Sequence, residues 1–130
     1  MSNYEVNPKF LRERLEQVLE ALERIPSRFA GIRQPSDFKA TPNGVDRLDS
    51  ICMVLLAAGE ELKKIDRDTQ GQLFAAYPQI NWRGAIGLRD VLAHGYFQID
   101  PEQIYYICRD NIPGLIAALH QIRRDLERNS

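Results

Sequence analysis

Leu11, Leu15, Val18, Leu22 and Ile25 recur at spacings of 4, 3, 4 and 3, the rhythm that lines side chains along one face of an α-helix. The rhythm returns in Val45, Leu48, Cys52, Leu55, Leu62 and Ile65, with Gly59 at the remaining register position, and again in Leu115, Leu119, Ile122 and Leu126. No segment shows sustained two-residue alternation with hairpin turns, and there is no internal repeat or low-complexity tract. The predicted fold is therefore all-α, an up-and-down bundle of four to five helices. A chain of 130 residues should bury about two thirds of its unfolded surface around one core, so a single domain over residues 1–130 is expected.

The helix ends are marked by caps and prolines. Asn7 can cap a first helix with Pro8 at its first position, and Pro26 is expected to stop it. The stretch "SRFAGIRQPSDFKATPNG", Ser27 to Gly44, reads as a long connection, with Thr41 and Pro42 or Asn43 opening the next helix. That second helix should run to about Asp66. "QLFAAYPQI" can supply a turn or two before Pro78, and Asn81 caps a third helix that begins at Trp82. Asp100, Pro101, Glu102 and Gln103 form a start signal for a fourth. Pro113 then removes an amide donor and crowds the preceding turn, predicting a proline kink in the last helical region or a division into two short helices. Beyond it, Arg123, Arg124 and Arg128 lie near the electronegative end of the last helix.

Composition narrows the function classes. Apolar residues make up 44% and charged residues 27%, close to ordinary globular usage and unlike disordered or fibrous chains. No uninterrupted apolar stretch approaches the roughly 20 residues of a bilayer span, and "MSNYEVNPKF" lacks an apolar signal core, so no membrane association and a cytoplasmic location are expected. Cys52 and Cys108 have neither CxxC spacing nor histidine companions and read as reduced core residues, with a single disulfide as the alternative. A net charge of −1 argues against a broad electropositive surface for long nucleic acid, though not against a local anion site. The cationic residues favour arginine, the better two-pronged partner for phosphate.

The third helix is unusual. Trp82, Ala85, Arg89, Leu92 and Tyr96 share one stripe, and Gly84, Leu88, Val91 and Gly95 another. A helix apolar on two sides has to be covered on two sides, by the bundle and by a second protomer or another protein, and a homodimer is the economical choice. The remaining stripe is Arg83, Gly87, Asp90 and His94, in which Asp90 and His94 are i,i+4 neighbours able to hydrogen-bond. Gly84 and Gly87 each cost about 1 kcal/mol relative to alanine inside a helix, which points to close approach of a partner helix or a ligand. Arg89 and His94 lie about 140° apart on an ideal wheel, so convergence requires the arginine stem to curl, Gly95 to end the helix, or a two-fold mate. Taken alone, an arginine and a histidine five residues apart are more often a surface ion pair and a satisfied histidine than an active site.

"NWRGAIGLRDVLAHGYFQID", preceded by "YPQI" and followed by "IYYICRDNIPGLIAAL", resembles the HepT family of HEPN-domain proteins, whose mark is arginine, four residues, histidine, one residue, tyrosine. Here those residues are Arg89, His94 and Tyr96. The likeness extends to "LAAGEEL" and to the proline of the last helical region, covering most of the chain from about Val45; the connection "GIRQPSDFKATPNG" has no matching segment. The resemblance implies a HEPN-like fold, a homodimer with its arginine-histidine motifs near the dimer cleft, and a metal-independent ribonuclease. It further implies the toxin of a two-gene pair, its antitoxin a nucleotidyltransferase of the MNT type that attaches AMP to the matching tyrosine, Tyr96.

The chemistry suits the residues. An imidazole that titrates near neutrality can act as base on an RNA 2'-hydroxyl or as acid toward the leaving oxygen, a role for His94. Negative charge building on the phosphoryl oxygens calls for a permanent cation, a role for Arg89. Asp90 either orients His94 or is an ordinary helix-surface carboxylate. AMP on Tyr96 would fill the cleft and compete for its positive charge, which requires Tyr96 to be exposed. His120 has no evident partner and reads as structural or exposed. Glu20/Glu23 and Glu60/Glu61 read as solvated faces; with no histidine at ligand spacing, neither a metal nor another cofactor is expected. The rival readings are a non-catalytic helical subunit that binds a nucleotide or RNA and assists a nucleotidyltransferase, and a plain interaction module.

Overall fold

The computed structural model describes residues 4–128 and, of Tyr96, only the backbone. Among these residues every regular element is helical: α1 (Pro8–Leu22), α2 (Ile25–Phe29), α3 (Asp37–Ala40), α4 (Pro42–Asp68), α5 (Gln72–Ala75), α6 (Trp82–His94), α7 (Pro101–Tyr106) and α8 (Ile112–Arg128). A 3-10 turn at Tyr96–Gln98 follows α6, and a π-helical turn at Ile107–Asn111 joins α7 to α8. The 27-residue α4 is the hub, packing against α1, α3 and α6, while α1 also packs against α8.

The apolar rhythm became the core. Leu11, Leu15, Val18 and Leu22 of α1, Leu48, Cys52, Leu55, Leu62 and Ile65 of α4, and Leu115, Leu119 and Ile122 of α8 are all buried. Each four-residue rise brings the next side chain onto the same face, and burying an aliphatic chain contributes about 1.5–3 kcal/mol. Both cysteines are free and buried, and burial pushes the Cys52 thiol up to about 11 and the Cys108 thiol up to about 12.

The caps hold as expected. Asn7 accepts from the Lys9 amide at 2.8 Å, Thr41 from Gly44 at 3.0 Å, Asn81 from Gly84 at 3.0 Å and Asp100 from Glu102 at 2.9 Å. Two prolines shape the helix boundaries. Pro26 ends α1 and also opens the next helix: it sits in the first turn of α2, where its missing amide hydrogen is no loss. A helix continued through Pro26 would set its ring against the Leu22 carbonyl, so α1 ends at Leu22 and the chain turns at Glu23 and Arg24. Near Pro113 the last helical region is interrupted as expected: a π-helical turn at Ile107–Asn111 separates α7 from α8 just ahead of the proline, the kind of irregularity at which helices kink.

The segment from Ser27 to Gly44 is more ordered than a connection. It contains most of α2 and all of α3, and Phe38 is fully buried. The Arg47 guanidinium donates to the Arg28 and Ala30 carbonyls at 3.1 and 2.7 Å, and the Tyr105 hydroxyl donates to the Arg33 carbonyl at 2.8 Å. Helices of four or five residues are too short to display a period, which is why the sequence conceals them.

Candidate active site

Both ends of α6 are fixed by their own residues. At its start, Trp82 stacks on Phe74 of α5 with ring centroids 4.1 Å apart, and its indole nitrogen donates to the Tyr77 carbonyl at 2.9 Å. Asn81 folds over the first turn so closely that a Cβ on Gly84 would lie 2.6 Å from the Asn81 amide nitrogen. Within this chain the neighbour that crowds Gly84 is its own cap residue, and a Cβ on Gly87 would meet nothing within 4 Å. The glycine that admits α6 is Gly59 of α4. A Cβ there would lie 2.8 Å from the Arg89 Cβ and 3.4 Å from the Ala85 carbonyl oxygen, so α6 rides directly on the α4 backbone. At its end, the Gly95 amide donates to the Val91 carbonyl at 3.0 Å and the chain leaves the helix after His94.

Of the two apolar stripes, the first faces the bundle through Trp82 and Leu92, both buried. On the second, Leu88 is buried but Val91 is 51% exposed. Gly84, Gly87, Leu88 and Val91 form one wall of a groove of about 570 Å³ whose other walls include Leu55 and Leu62 of α4 and Leu115 of α8. Neither Arg89 nor His94 lines it. Arg89 packs beside it, against Gly59, and His94 lies at the end of α6.

Arg89 is held by two carboxylates. Its Nε donates to Glu60 Oε2 at 2.5 Å and its Nη1 to Asp90 Oδ1 at 2.8 Å, with the arginine side chain 25% exposed, Glu60 40% and Asp90 58%. The hydrogen bonds to Asp90 and Glu60 raise the guanidinium pKa still further, and the same bond to Arg89, assisted by the charge of Lys63, holds the Asp90 carboxyl below its ordinary range. Both groups are fully ionised at neutral pH.

His94 is exposed. Its Nδ1 lies 2.9 Å from the main-chain oxygen of Asp90. A carbonyl oxygen only accepts, so the contact requires the hydrogen on Nδ1, and in the neutral ring Nε2 then carries the lone pair. The expected Asp90–His94 link therefore runs through the backbone, while the Asp90 carboxylate turns to Arg89. Arg89 and His94 share no hydrogen bond among the described residues; Asp90 stands between them.

Tyr96 follows in the 3-10 turn, where the Gln98 amide donates to the Gly95 carbonyl at 2.9 Å. The expected exposure of the Tyr96 side chain lies outside the described residues. Its neighbour Phe97 is 98% exposed.

Three readings of charged residues are corrected. Glu60 and Glu61 do not form a solvated face: Glu60 binds Arg89, and Glu61 accepts from Arg14 Nε at 3.1 Å. Arg14 is nearly buried and also donates to Asp68 at 2.8 Å, tying α1 to α4. His120 has a partner after all, Glu23 just beyond the end of α1, with Nε2 at 3.0 Å from a carboxylate oxygen. The signal for Glu60 was present in the adjacency of Gly59 and Glu60, a gap for a neighbour beside a carboxylate to meet it, but reading it required knowing which helix lies opposite. No group of three or more His, Cys, Asp or Glu among the described residues is arranged to hold a metal ion, and no described helix is long and apolar enough to cross a membrane.

The family model described as Ribonuclease HepT-like matches residues 18–122, an interval that includes Glu60, Arg89, Asp90, His94 and Tyr96. A protein of Methanocaldococcus jannaschii named "Putative RNase MJ0127" is 36% identical over 69 residues, 53% of this chain and 54% of that protein. "Probable ribonuclease HepT" of Thermococcus cleftensis is 29% identical over 75 residues, 58% of this chain and 64% of that protein. The chain spans 54% to 64% of the length of the curated relatives it matches. No solved structure matches it. With a family match running from the middle of α1 to the second half of α8, the chain belongs to the HepT-like ribonuclease family.

Proposed function

We propose that the protein is a metal-independent endoribonuclease with His94 as its proton-handling group and Arg89 as its anion-binding group. The observation that carries this reading is the fixed hydrogen-bond role of His94: Nδ1 is committed to the Asp90 carbonyl, leaving Nε2 of an exposed ring to take a proton. In the proposed step Nε2 removes the proton from a ribose 2'-hydroxyl, the 2'-oxygen forms a bond to the adjacent phosphorus, and the bond from phosphorus to the 5'-oxygen breaks. The leaving 5'-oxygen takes a proton from a second acid, and Arg89 stabilises the charge that gathers on the phosphoryl oxygens. Phe97, 98% exposed three residues beyond His94, offers a ring on which an unpaired base can stack.

One copy of the chain supplies one His94 in an open position. A homodimer, favoured by the half-exposed Val91 stripe of α6, would supply a second imidazole as the acid and enclose the phosphate. The protein is further proposed to be a single-domain cytoplasmic toxin whose antitoxin, a nucleotidyltransferase of the MNT type, silences it by attaching AMP to Tyr96. An adenylate two residues from His94 would bring its phosphate to the Arg89–His94 region and block RNA.

Cleavage of RNA by the purified protein in excess EDTA tests the metal-independent reaction. Undiminished cleavage is the expected result, and activity that vanishes with the chelator contradicts it. The antitoxin half is tested by mass analysis after co-production with the product of the neighbouring gene. The expected result is a gain in units of AMP mapped to Tyr96; an unmodified chain in a stable complex rejects that half of the proposal.

A further inference from the structure

We propose that Glu60 is the positioning residue for Arg89, so that the anion-binding group of the site is assembled by α4 as much as by α6. The inference rests on the nuclease reading above and adds a residue to that site. Two independent features of α4 meet Arg89. Gly59 removes a side chain where the Arg89 Cβ passes, since a Cβ there would be 2.8 Å away, and Glu60, the next residue, takes Nε at 2.5 Å. One residue makes room for the stem and its neighbour fixes the head.

The two carboxylates on Arg89 are not equivalent. Asp90 is adjacent to Arg89 on α6 and is the more exposed carboxylate, so its bond to Nη1 ties the guanidinium only to its own helix. Glu60 belongs to α4, the helix on which α1, α3 and α6 all pack, and its bond to Nε sets where the planar fork points. Arginine has a long, flexible stem and five N–H donors in a rigid plane. With Nε–H committed to Glu60, the Nη edge is the part that can meet a phosphate in a two-pronged contact. Asp90, the more exposed of the two, occupies part of that edge in the resting site and is the partner that an arriving phosphodiester displaces. Glu60 stays in place during the exchange and keeps the guanidinium from following Asp90 into solvent.

The test compares RNA cleavage by the wild-type protein, Glu60→Ala, Glu60→Gln, Arg89→Ala and the double variant Arg89→Ala/Glu60→Ala, the last two with and without ethylguanidinium at concentrations that leave the fold intact. Glu60→Gln preserves side-chain shape and an acceptor oxygen, guarding against a simple folding failure. The expected results are a kcat about a hundredfold lower in Glu60→Ala, as displacement of a positioned group by about an ångström can cause, a KM changed far less, and an intermediate kcat in Glu60→Gln. Added ethylguanidinium should restore part of the cleavage to Arg89→Ala and none to the double variant. Wild-type kcat in Glu60→Ala, or equal rescue with and without Glu60, overturns the inference while leaving the nuclease reading intact. Failure of the wild-type protein to cleave any RNA removes the nuclease reading and this inference together.

Discussion

His94→Ala is expected to lower RNA cleavage by about 10²–10⁴-fold, the range for loss of a positioned acid or base, and to abolish growth inhibition by the free protein. The structure predicts that this loss comes without collapse of the fold. His94 is exposed at the last position of α6, its one described hydrogen bond is to the Asp90 main-chain oxygen, and it belongs to no part of the buried core. Truncation removes one bond to an oxygen that the helix still serves through the His94 main-chain amide. Melting temperature and oligomeric state should therefore match the wild-type protein while activity disappears. Full cleavage by the alanine variant rejects His94 as the proton-handling group, and it would favour the reading in which the protein binds RNA or a nucleotide without cutting it.

Arg89→Ala should lower kcat by about 10²–10³-fold, as removal of a preorganised group facing developing negative charge does. Here a stability effect is expected as well. The arginine stem covers Gly59, and its head is the cation between Glu60 and Asp90; without it both carboxylates lose the cation they are hydrogen-bonded to. The informative companion is Arg89→Lys. An ammonium carries the same charge but cannot serve Glu60, Asp90 and a phosphate with one rigid plane. Arg89→Lys should accordingly recover much of the stability and little of the kcat. A lysine variant with wild-type kcat would mean that charge alone suffices, contradicting the geometric role given to the guanidinium.

The long elements were legible because they repeat. Four apolar residues of α1, at spacings of 4, 3 and 4, admit only one face, and all four are buried. The caps at Asn7, Thr41, Asn81 and Asp100 were equally legible, since each is a short-range interaction between a side chain and an amide two or three residues on. Pro26 was legible as the end of one helix and not as the start of another, although the same residue suits both, because the second role depends on whether the chain can turn at Glu23 and Arg24. α2 and α3 escaped because burial of Phe38 and the bonds from Arg47 and Tyr105 organise them, and all of these come from residues distant in sequence.

At the site, the local half was readable and the long-range half was not. The i,i+4 relation of Asp90 and His94 correctly placed them in contact, but the wheel does not say which oxygen of Asp90 is used. The carboxylate was free to turn to Arg89 because the main-chain oxygen already served the imidazole. Glu60 and Glu23 looked like solvated acids because their partners, Arg89 and His120, lie on other helices. A charge is solvated or paired according to what the fold sets opposite it, and one sequence carries little record of that.

The most direct test of the central claim, that His94 and Arg89 act on one phosphodiester through attack by the neighbouring hydroxyl, is the chemistry of the RNA ends released by the free protein. The account predicts fragments ending in a 2',3'-cyclic phosphate, paired with fragments beginning in a 5'-hydroxyl. Fragments with a 3'-hydroxyl and a 5'-phosphate would show that water, not the ribose, attacks phosphorus, and would contradict it.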